Sequence, residues 1–121
     1  MGVLITIGLS VMFLFFSFVV SAMPGSPAIA QSDIQATTLR VKWTAPADDG
    51  GSPIAAYRLV ILKGGNEIKN VNITDSGITS LSVEDLETDT EYTIKVFAKN
   101  AVFEGLAVEK KVKTKYEGNT L

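Results

Sequence analysis

The sequence predicts an all-β fold, a Greek-key sandwich of two sheets and seven strands preceded by an apolar N-terminal helix. Three observations support it. Residues 92–100 alternate between apolar or aromatic and mostly polar side chains, the period of a strand with one buried face. Leu86 and Tyr92 frame a polar corner before that strand, where a tyrosine can bury its ring and return its hydroxyl to the backbone. After residue 22, turn signals separate short strands and no helical periodicity appears.

The first half of the domain supplies three strands. Residues 28–36 form a weak first strand, and residues 38–45 form a clear second strand in which large apolar and polar side chains alternate. Trp43, the only tryptophan, lies in this second strand and is expected in the core between the sheets. Residues 54–63 form the third strand. Parity puts the apolar residues Tyr57, Leu59 and Ile61 on its inner face. It puts Arg58, Val60 and Leu62 on its outer face.

The second half supplies four more strands. They are predicted at residues 67–73, 78–83, 92–100 and 106–114. Gly64-Gly65-Asn66 predicts a hairpin turn before the fourth strand. The large apolar and aromatic residues on the inner faces and at the corner are expected to form the structural core. These are Trp43, Tyr57, Leu86, Tyr92, Ile94 and Val96.

Asp48 and Asp49 stand beside glycines in the loop after the second strand. Two adjacent aspartates raise the question of calcium, but the spacing of an EF-hand is absent and calcium takes six or more oxygen ligands. The turn-forming dipeptides of residues 48–53 predict an ordinary loop instead. No metal site is expected there.

The composition excludes several kinds of site. The chain of 121 residues has no cysteine and no histidine, which excludes disulfides, Cys- or His-ligated metals and catalytic pairs built on histidine. A formal net charge of −2 gives no indication of nucleic-acid binding, and no cofactor is expected. A group of lysines near the C-terminus is predicted to protect an edge strand from aggregation, with a phosphate- or heparin-binding stripe as the alternative. These are Lys110, Lys111, Lys113 and Lys115.

Residues 3–22 are nearly all apolar, and no charged residue precedes Asp33. Residues 20–22, Val-Ser-Ala, suit cleavage by a signal peptidase, although the segment before them lacks the usual positive charge. The alternative is an uncleaved membrane anchor, since about 20 apolar residues span a bilayer. The predicted organisation is a signal peptide or signal anchor at 1–22, one domain at 23–115 and a polar tail at 116–121. The domain is expected outside the cell, either secreted or membrane-anchored.

Four motifs together resemble a fibronectin type III domain over nearly all of residues 24–114. They are Pro24-x-x-Pro27, Leu39-x-Val41-x-Trp43-x-x-Pro46, Asp49-Gly50-Gly51-Ser52-Pro53-Ile54-x-x-Tyr57-x-Leu59 and Leu86-x-x-x-Thr90-x-Tyr92-x-Ile94-x-Val96-x-Ala98-x-Asn100. The segment from Gly50 to Tyr57 looks most like the versions in neural adhesion molecules and giant muscle proteins. The resemblance implies an immunoglobulin-like sandwich that acts as a non-catalytic spacer or protein-binding module.

The chain departs from the family pattern in three ways. Thr88 stands where the family often has proline, which predicts a less rigid corner. Lys110 stands where an apolar residue is common, which predicts a frayed or shifted last strand. No Arg-Gly-Asp sequence is present, so the integrin binding of some relatives does not carry over.

Three features are candidate sites. Asn72-Ile73-Thr74 is an N-glycosylation sequon. Phe103, in the loop before the last strand, either folds back over the core or serves as an exposed aromatic anchor for a partner. By parity Val60, Leu62 and Phe97 lie outside the core on neighbouring strands. One interpretation is a docking patch for a partner or for a second copy of the chain. The other is that they are scattered surface residues with no special role.

The sequence is compatible with three classes of function. The leading hypothesis is an extracellular protein-interaction module of cell-adhesion or matrix type, with a protein partner and weak self-association as a further possibility. The alternative is a structural spacer within a longer adhesion or muscle-type array. The third is an enzyme built on the acidic residues 84–91, but their polar surroundings offer nothing to raise the pKa of one carboxyl above another.

Overall fold

A computed structural model describes residues 22–117 as two antiparallel β-sheets packed face to face. The two-sheet, all-β sandwich predicted from the sequence is therefore confirmed. The N-terminal helix predicted within residues 1–22 falls almost wholly outside the described residues, and residues 22–117 contain no helix. Accordingly, the described part of the chain offers no helical span of the length and apolarity that a membrane requires.

Seven strands form the sandwich. They are β1 (Ala28–Ile34), β2 (Leu39–Thr44), β3 (Ile54–Lys63), β4 (Asn66–Ile73), β5 (Ser80–Val83), β6 (Glu91–Asn100) and β7 (Val108–Lys113). One sheet has the order β1-β2-β5 and the other β4-β3-β6-β7. An isolated bridge between Lys99 and Glu104 adds a further pairing segment, so residues 22–117 contain eight β segments where the sequence predicted seven strands.

The core lies between the two sheets because the strands alternate as expected. In β2 the residues are buried and exposed in strict turn, and β6 alternates in the same way. Trp43 of β2 meets Tyr57 of β3 edge to face, with ring centroids 5.5 Å apart. This contact joins the two sheets, and such aromatic pairs stabilise beyond the area they bury. All six residues expected in the structural core are buried.

The corner before β6 is held by side chains on both sides. The N–H of Glu87 donates to the hydroxyl of Tyr92 at 2.8 Å. Thr114, just after β7, donates its hydroxyl to the carbonyl of Glu87 at 2.6 Å and accepts the N–H of Thr90 at 2.9 Å. The corner therefore has anchors of its own where the family often relies on proline at the position of Thr88.

Strand β7 pairs with β6 continuously, from Val96 opposite Val108 to Glu91 opposite Lys113. The frayed or shifted strand expected from Lys110 is therefore wrong. The reason is that Lys110 leaves the core: its side chain is exposed, and its ammonium donates to the hydroxyl of Ser32 on β1 at 3.0 Å. A long side chain can bring its charge to water while its stem lies along the sandwich edge.

Candidate functional site

The outer face of the four-stranded sheet carries the patch predicted from parity. The β3–β6 register sets Arg58 opposite Phe97, Val60 opposite Lys95 and Leu62 opposite Thr93. Because side chains alternate along a strand, these six residues point to the same side, away from the core. We call this surface the outer face.

Val60 differs from the expectation, since only 3% of it is exposed. It lies on a central strand, with Asn70 of β4 on one side and Lys95 of β6 on the other. Directly opposed side chains on neighbouring strands stand close enough to cover a small β-branched residue. Leu62 and Phe97 are half-buried. The accessible apolar surface is thus made by two of the three predicted residues.

Arg58 organises the outer face. Its guanidinium carbon lies 4.1 Å from the centroid of the Phe97 ring, within the range of a cation–π contact. Its Nε and Nη2 donate to the two carboxylate oxygens of Glu104 at 2.9 and 2.8 Å. A bidentate pair of this kind fixes the guanidinium plane, and Lys99 lies 3.7 Å from the same carboxylate. The outer face therefore offers an ordered surface in which Glu104 pairs with two cations beside an aromatic ring.

The ion pair shifts the acid-base behaviour of Glu104. The hydrogen bonds from Arg58 lower the pKa of the Glu104 carboxyl below its ordinary value of 4.5, against the opposing effect of partial burial. Sequence reasoning placed Arg58 on the outer face of the third strand but missed Glu104. The two residues are 46 positions apart, and Glu104 lies in a loop with no periodic pattern that could have indicated its direction.

Phe103 is 43% exposed, so it does not fold back over the core. The loop that carries it is held by Asn100, whose side-chain oxygen accepts the N–H groups of Val102 at 2.9 Å and Phe103 at 2.8 Å. Two neighbouring large apolar residues, Val102 and Leu106, are also exposed. The loop thus displays apolar side chains from a fixed backbone.

Asn100 also binds the N-terminal segment. Its Nδ2 donates to the carbonyl oxygens of Ala22 at 2.8 Å and Asp49 at 3.0 Å. The N–H of Ala22 donates to the carbonyl of Gly50 at 2.9 Å. Gly50 has a φ of 76°, and a Cβ there would collide with the carbonyl oxygen of Ala22. Sequence reasoning found the Asn100 motif but not this anchor, because its parts lie far apart in the chain.

The adjacent aspartates serve the loop, as the turn signals predicted. An oxygen of Asp48 accepts the N–H of Gly50 at 2.9 Å, and one of Asp49 accepts the N–H of Gly51 at 2.8 Å. Such bonds are how aspartate stabilises turns. Within residues 22–117, no group of acidic side chains is arranged to hold a metal ion.

Asn72 of the sequon is exposed near the end of the edge strand β4, opposite Arg58 of β3. Thr74 is also exposed, while Ile73 between them is buried against the core. Asn72 and Arg58 therefore share the outer face, and a glycan on Asn72 would lie beside the Arg58–Phe97 contact.

The acidic residues near the corner form surface ion pairs. Glu87 lies 2.6 Å from the ammonium of Lys63, and Asp89 lies 3.3 Å from that of Lys113. More than half of each carboxylate side chain is exposed. Solvated pairs of this kind contribute little to stability and differ from the desolvated carboxyl that acid-base catalysis uses.

Comparison with known proteins agrees with this architecture. The family model for the fibronectin type III domain matches residues 24–115. Ephrin type-A receptor 4-B of Xenopus laevis is 29% identical over 90 residues, which are 65% of this chain and 9% of the receptor. Smooth-muscle myosin light chain kinase of Gallus gallus is 35% identical over 71 residues, which are 57% of this chain and 4% of the kinase. The chain thus spans a small part of these relatives.

Among solved structures, the extracellular region of rat CD45, domains d3–d4, superposes with a TM-score of 0.69 at 23% identity. The match covers 78% of this chain and 51% of that one, and at this identity it shows a shared fold alone. The family match extends across both sheets, from Pro24 to just beyond β7. The chain therefore belongs to the fibronectin type III family.

Proposed function

We propose that this domain is a non-catalytic protein-interaction module of cell-adhesion or matrix type, and that it binds a protein partner through its outer face. The observation that carries the proposal is the Arg58–Phe97 contact beside the half-buried Leu62. Aromatic residues and arginine are enriched at protein interfaces and supply most of their binding energy. Because Glu104 already holds Arg58 in place, less side-chain conformational entropy is lost when a partner binds.

The absence of catalysis is part of the proposal. The chain has no cysteine or histidine, and the carboxylates near the corner are solvated ion pairs. Fibronectin type III domains are typically non-catalytic modules, as the resemblance implied, although some of the proteins that contain them are kinases.

The proposed location is outside the cytoplasm, either secreted or tethered through residues 3–22. The apolar composition of that segment supports it. The N-terminal sequence of the mature protein, together with extraction of membranes at alkaline pH, distinguishes the two forms. A chain that keeps Met1 and is found soluble in the cytosol would overturn the proposal.

On the secretory route, Asn72 is proposed as a glycosylation site because it is exposed within a sequon. A glycan there would crowd the outer face, so glycosylated protein should bind its partner more weakly than the Asn72→Gln variant. Enzymatic removal of N-glycans tests occupancy directly: a mobility change in the wild type and none in the variant is expected.

The binding proposal is tested with Phe97→Ser, and Thr44→Ser at an exposed position of β2 in the other sheet is the control. A photo-crosslinker placed at residue 95 maps the contact on the full chain in its native setting. Loss of crosslinking and of self-association in Phe97→Ser, with both retained in the control and an unchanged circular dichroism spectrum in each, is expected. Association that survives Phe97→Ser, or crosslinks that do not depend on residue 97, would contradict the role of the outer face.

The alternative is a structural spacer in a longer array. Its support is the relatives, since the matched segment is a small share of large proteins such as the titin homolog of Caenorhabditis elegans, 28% identical over 89 residues. A reading frame that continues past Leu121 into further domains, together with an outer face that binds nothing, would favour it.

A further inference from the structure

Exposed apolar side chains are concentrated at one end of the sandwich. We call this end the N-terminal pole, since it carries residues 22–27 and the loops 45–53, 74–79 and 101–107. Within residues 22–117, five of the seven large apolar residues that are exposed lie at or near this pole, and the other two, Ile68 and Tyr116, lie toward the opposite end. The five are Met23, Ile78, Val102, Phe103 and Leu106.

The entering chain is attached to this pole without a linker. The N–H of Ala22 binds Gly50 at 2.9 Å, and its carbonyl accepts Asn100 Nδ2 at 2.8 Å. Three residues later, the N–H of Gly25 donates to the carbonyl of Asp48 at 2.8 Å. Between them Pro24 is buried, and a Cβ at Gly105 would collide with its carbonyl oxygen. The backbone is therefore fixed from Ala22 onward.

The apolar segment ends where this attachment begins. Residues 3–22 are long enough to cross a bilayer, and Ala22, the last residue of that segment, is bonded to the domain. A flexible linker would let a tethered domain turn freely. Here no linker separates the two, so a membrane tether formed by residues 3–22 would hold the N-terminal pole at the lipid surface.

From this geometry we infer that, in the tethered form of the protein, the N-terminal pole docks on the bilayer. Met23, Val102, Phe103 and Leu106 enter the boundary between lipid headgroups and acyl chains, where exposed apolar and aromatic side chains lower their free energy. The inference rests on the membrane tether of the proposed function and adds the orientation and the lipid-contacting residues.

Charge at the pole indicates the kind of lipid. Three carboxylates, those of Asp48, Asp49 and Asp75, each accept a backbone N–H in the pole loops. Acidic groups at a membrane-facing surface are repelled by anionic lipids. The pole is therefore suited to a zwitterionic surface such as phosphatidylcholine, and anionic lipid should weaken the docking.

Docking at this pole also orients the candidate binding surface. The strands run from the N-terminal pole to the opposite end, so they would stand away from the bilayer. The outer face with Arg58 and Phe97 would then point sideways, where a partner on the same or a neighbouring membrane can reach it.

The test uses the full chain, which has no cysteine, so one introduced thiol carries a single label. Phe103→Cys places an environment-sensitive fluorophore at the N-terminal pole, and Tyr116→Cys places it on an exposed aromatic position at the opposite end. Both proteins are reconstituted in phosphatidylcholine vesicles containing lipids with a nitroxide at a shallow acyl position. We expect a blue-shifted, strongly quenched label at 103 and an unquenched label at 116. Adding phosphatidylserine should reduce the quenching at 103.

Three other outcomes each decide against the inference. Protein that floats with the vesicles but shows equal or absent quenching at 103 overturns the docking and leaves the tether standing. Protein that does not float with the vesicles overturns the tether and the docking together. A label at 103 that is shielded by a crosslinked protein, with no lipid quenching, assigns the pole to a protein contact instead. Replacing the exposed Val102 and Leu106 together by Ser should weaken the quenching of the label at residue 103.

Discussion

The hydroxyl of Tyr92 accepts a 2.8 Å hydrogen bond from the backbone N–H of Glu87, five residues earlier in the chain. The ring of Tyr92 is buried in the core while its oxygen reaches the corner. The same side chain thus packs β6 against the core and fixes the backbone of the corner that precedes this strand.

Replacing Tyr92 by Phe should lower the free energy of unfolding by about 1–2 kcal/mol, because the N–H of Glu87 would lose its partner in a partly buried place. Urea denaturation monitored by circular dichroism measures the change. Tyr116→Phe is the control, since Tyr116 is exposed and should unfold as the wild type does. Equal stability of Tyr92→Phe and wild type would show that the corner does not depend on this bond.

Trp43 contributes through packing rather than hydrogen bonding, because its buried indole nitrogen has no hydrogen-bond partner in the described structure. Trp43→Ala should therefore cost about 3–5 kcal/mol of unfolding free energy. Trp43→Phe should cost clearly less, since it keeps an aromatic ring beside Tyr57 and removes an unpaired donor. Fluorescence of the native protein should be blue-shifted relative to free tryptophan. Emission typical of full exposure would contradict the burial of Trp43.

The Arg58–Glu104 pair should make stability depend on pH in acid. The pKa of Glu104 is lower in the folded protein than its ordinary value of 4.5, so the unfolded chain takes up this proton first as the pH falls. The contribution is fully present above the unfolded pKa and is lost as the pH falls through the folded pKa. The stability difference between wild type and Glu104→Gln should therefore shrink on acidification from pH 7.

Arg58→Gln removes the largest cause of the lowered pKa and leaves the smaller effect of Lys99. Both variants should show a shallower acid dependence than the wild type in denaturation curves taken at a series of pH values. If Glu104→Gln loses stability with acid as steeply as the wild type, other carboxylates dominate the acid dependence.

The two hydrogen bonds that anchor Ala22 should contribute measurably to the free energy of unfolding. A chain that begins at Ser21 keeps the bonds of Ala22 to Gly50 and Asn100, whereas a chain that begins at Met23 loses both. At about 1 kcal/mol for each hydrogen bond, the longer chain should be more stable by roughly 1–2 kcal/mol. Asn100→Ala should remove about half of this difference, because one of the two bonds ends on its side chain. Equal stabilities would mean that the domain begins after Ala22.

Alternation of apolar and polar residues was sufficient to predict the strands, their inner faces and the two-sheet sandwich. The reason is that burial of one face follows from the sequence period alone. The position of Tyr92 relative to Leu86 was likewise enough to predict the corner, because both partners of its bond lie within a few residues.

What lies across neighbouring strands was decided by the tertiary structure. Parity predicted the side of the sheet on which Val60 lies. The burial of Val60 depends on Asn70 and Lys95, and the strand register places these two residues beside it. Glu104 meets Arg58 across 46 residues, and Asn100 meets Ala22 across 78. Such contacts depend on strand order, on register and on the paths of irregular loops, and a period along one strand carries no information about any of these.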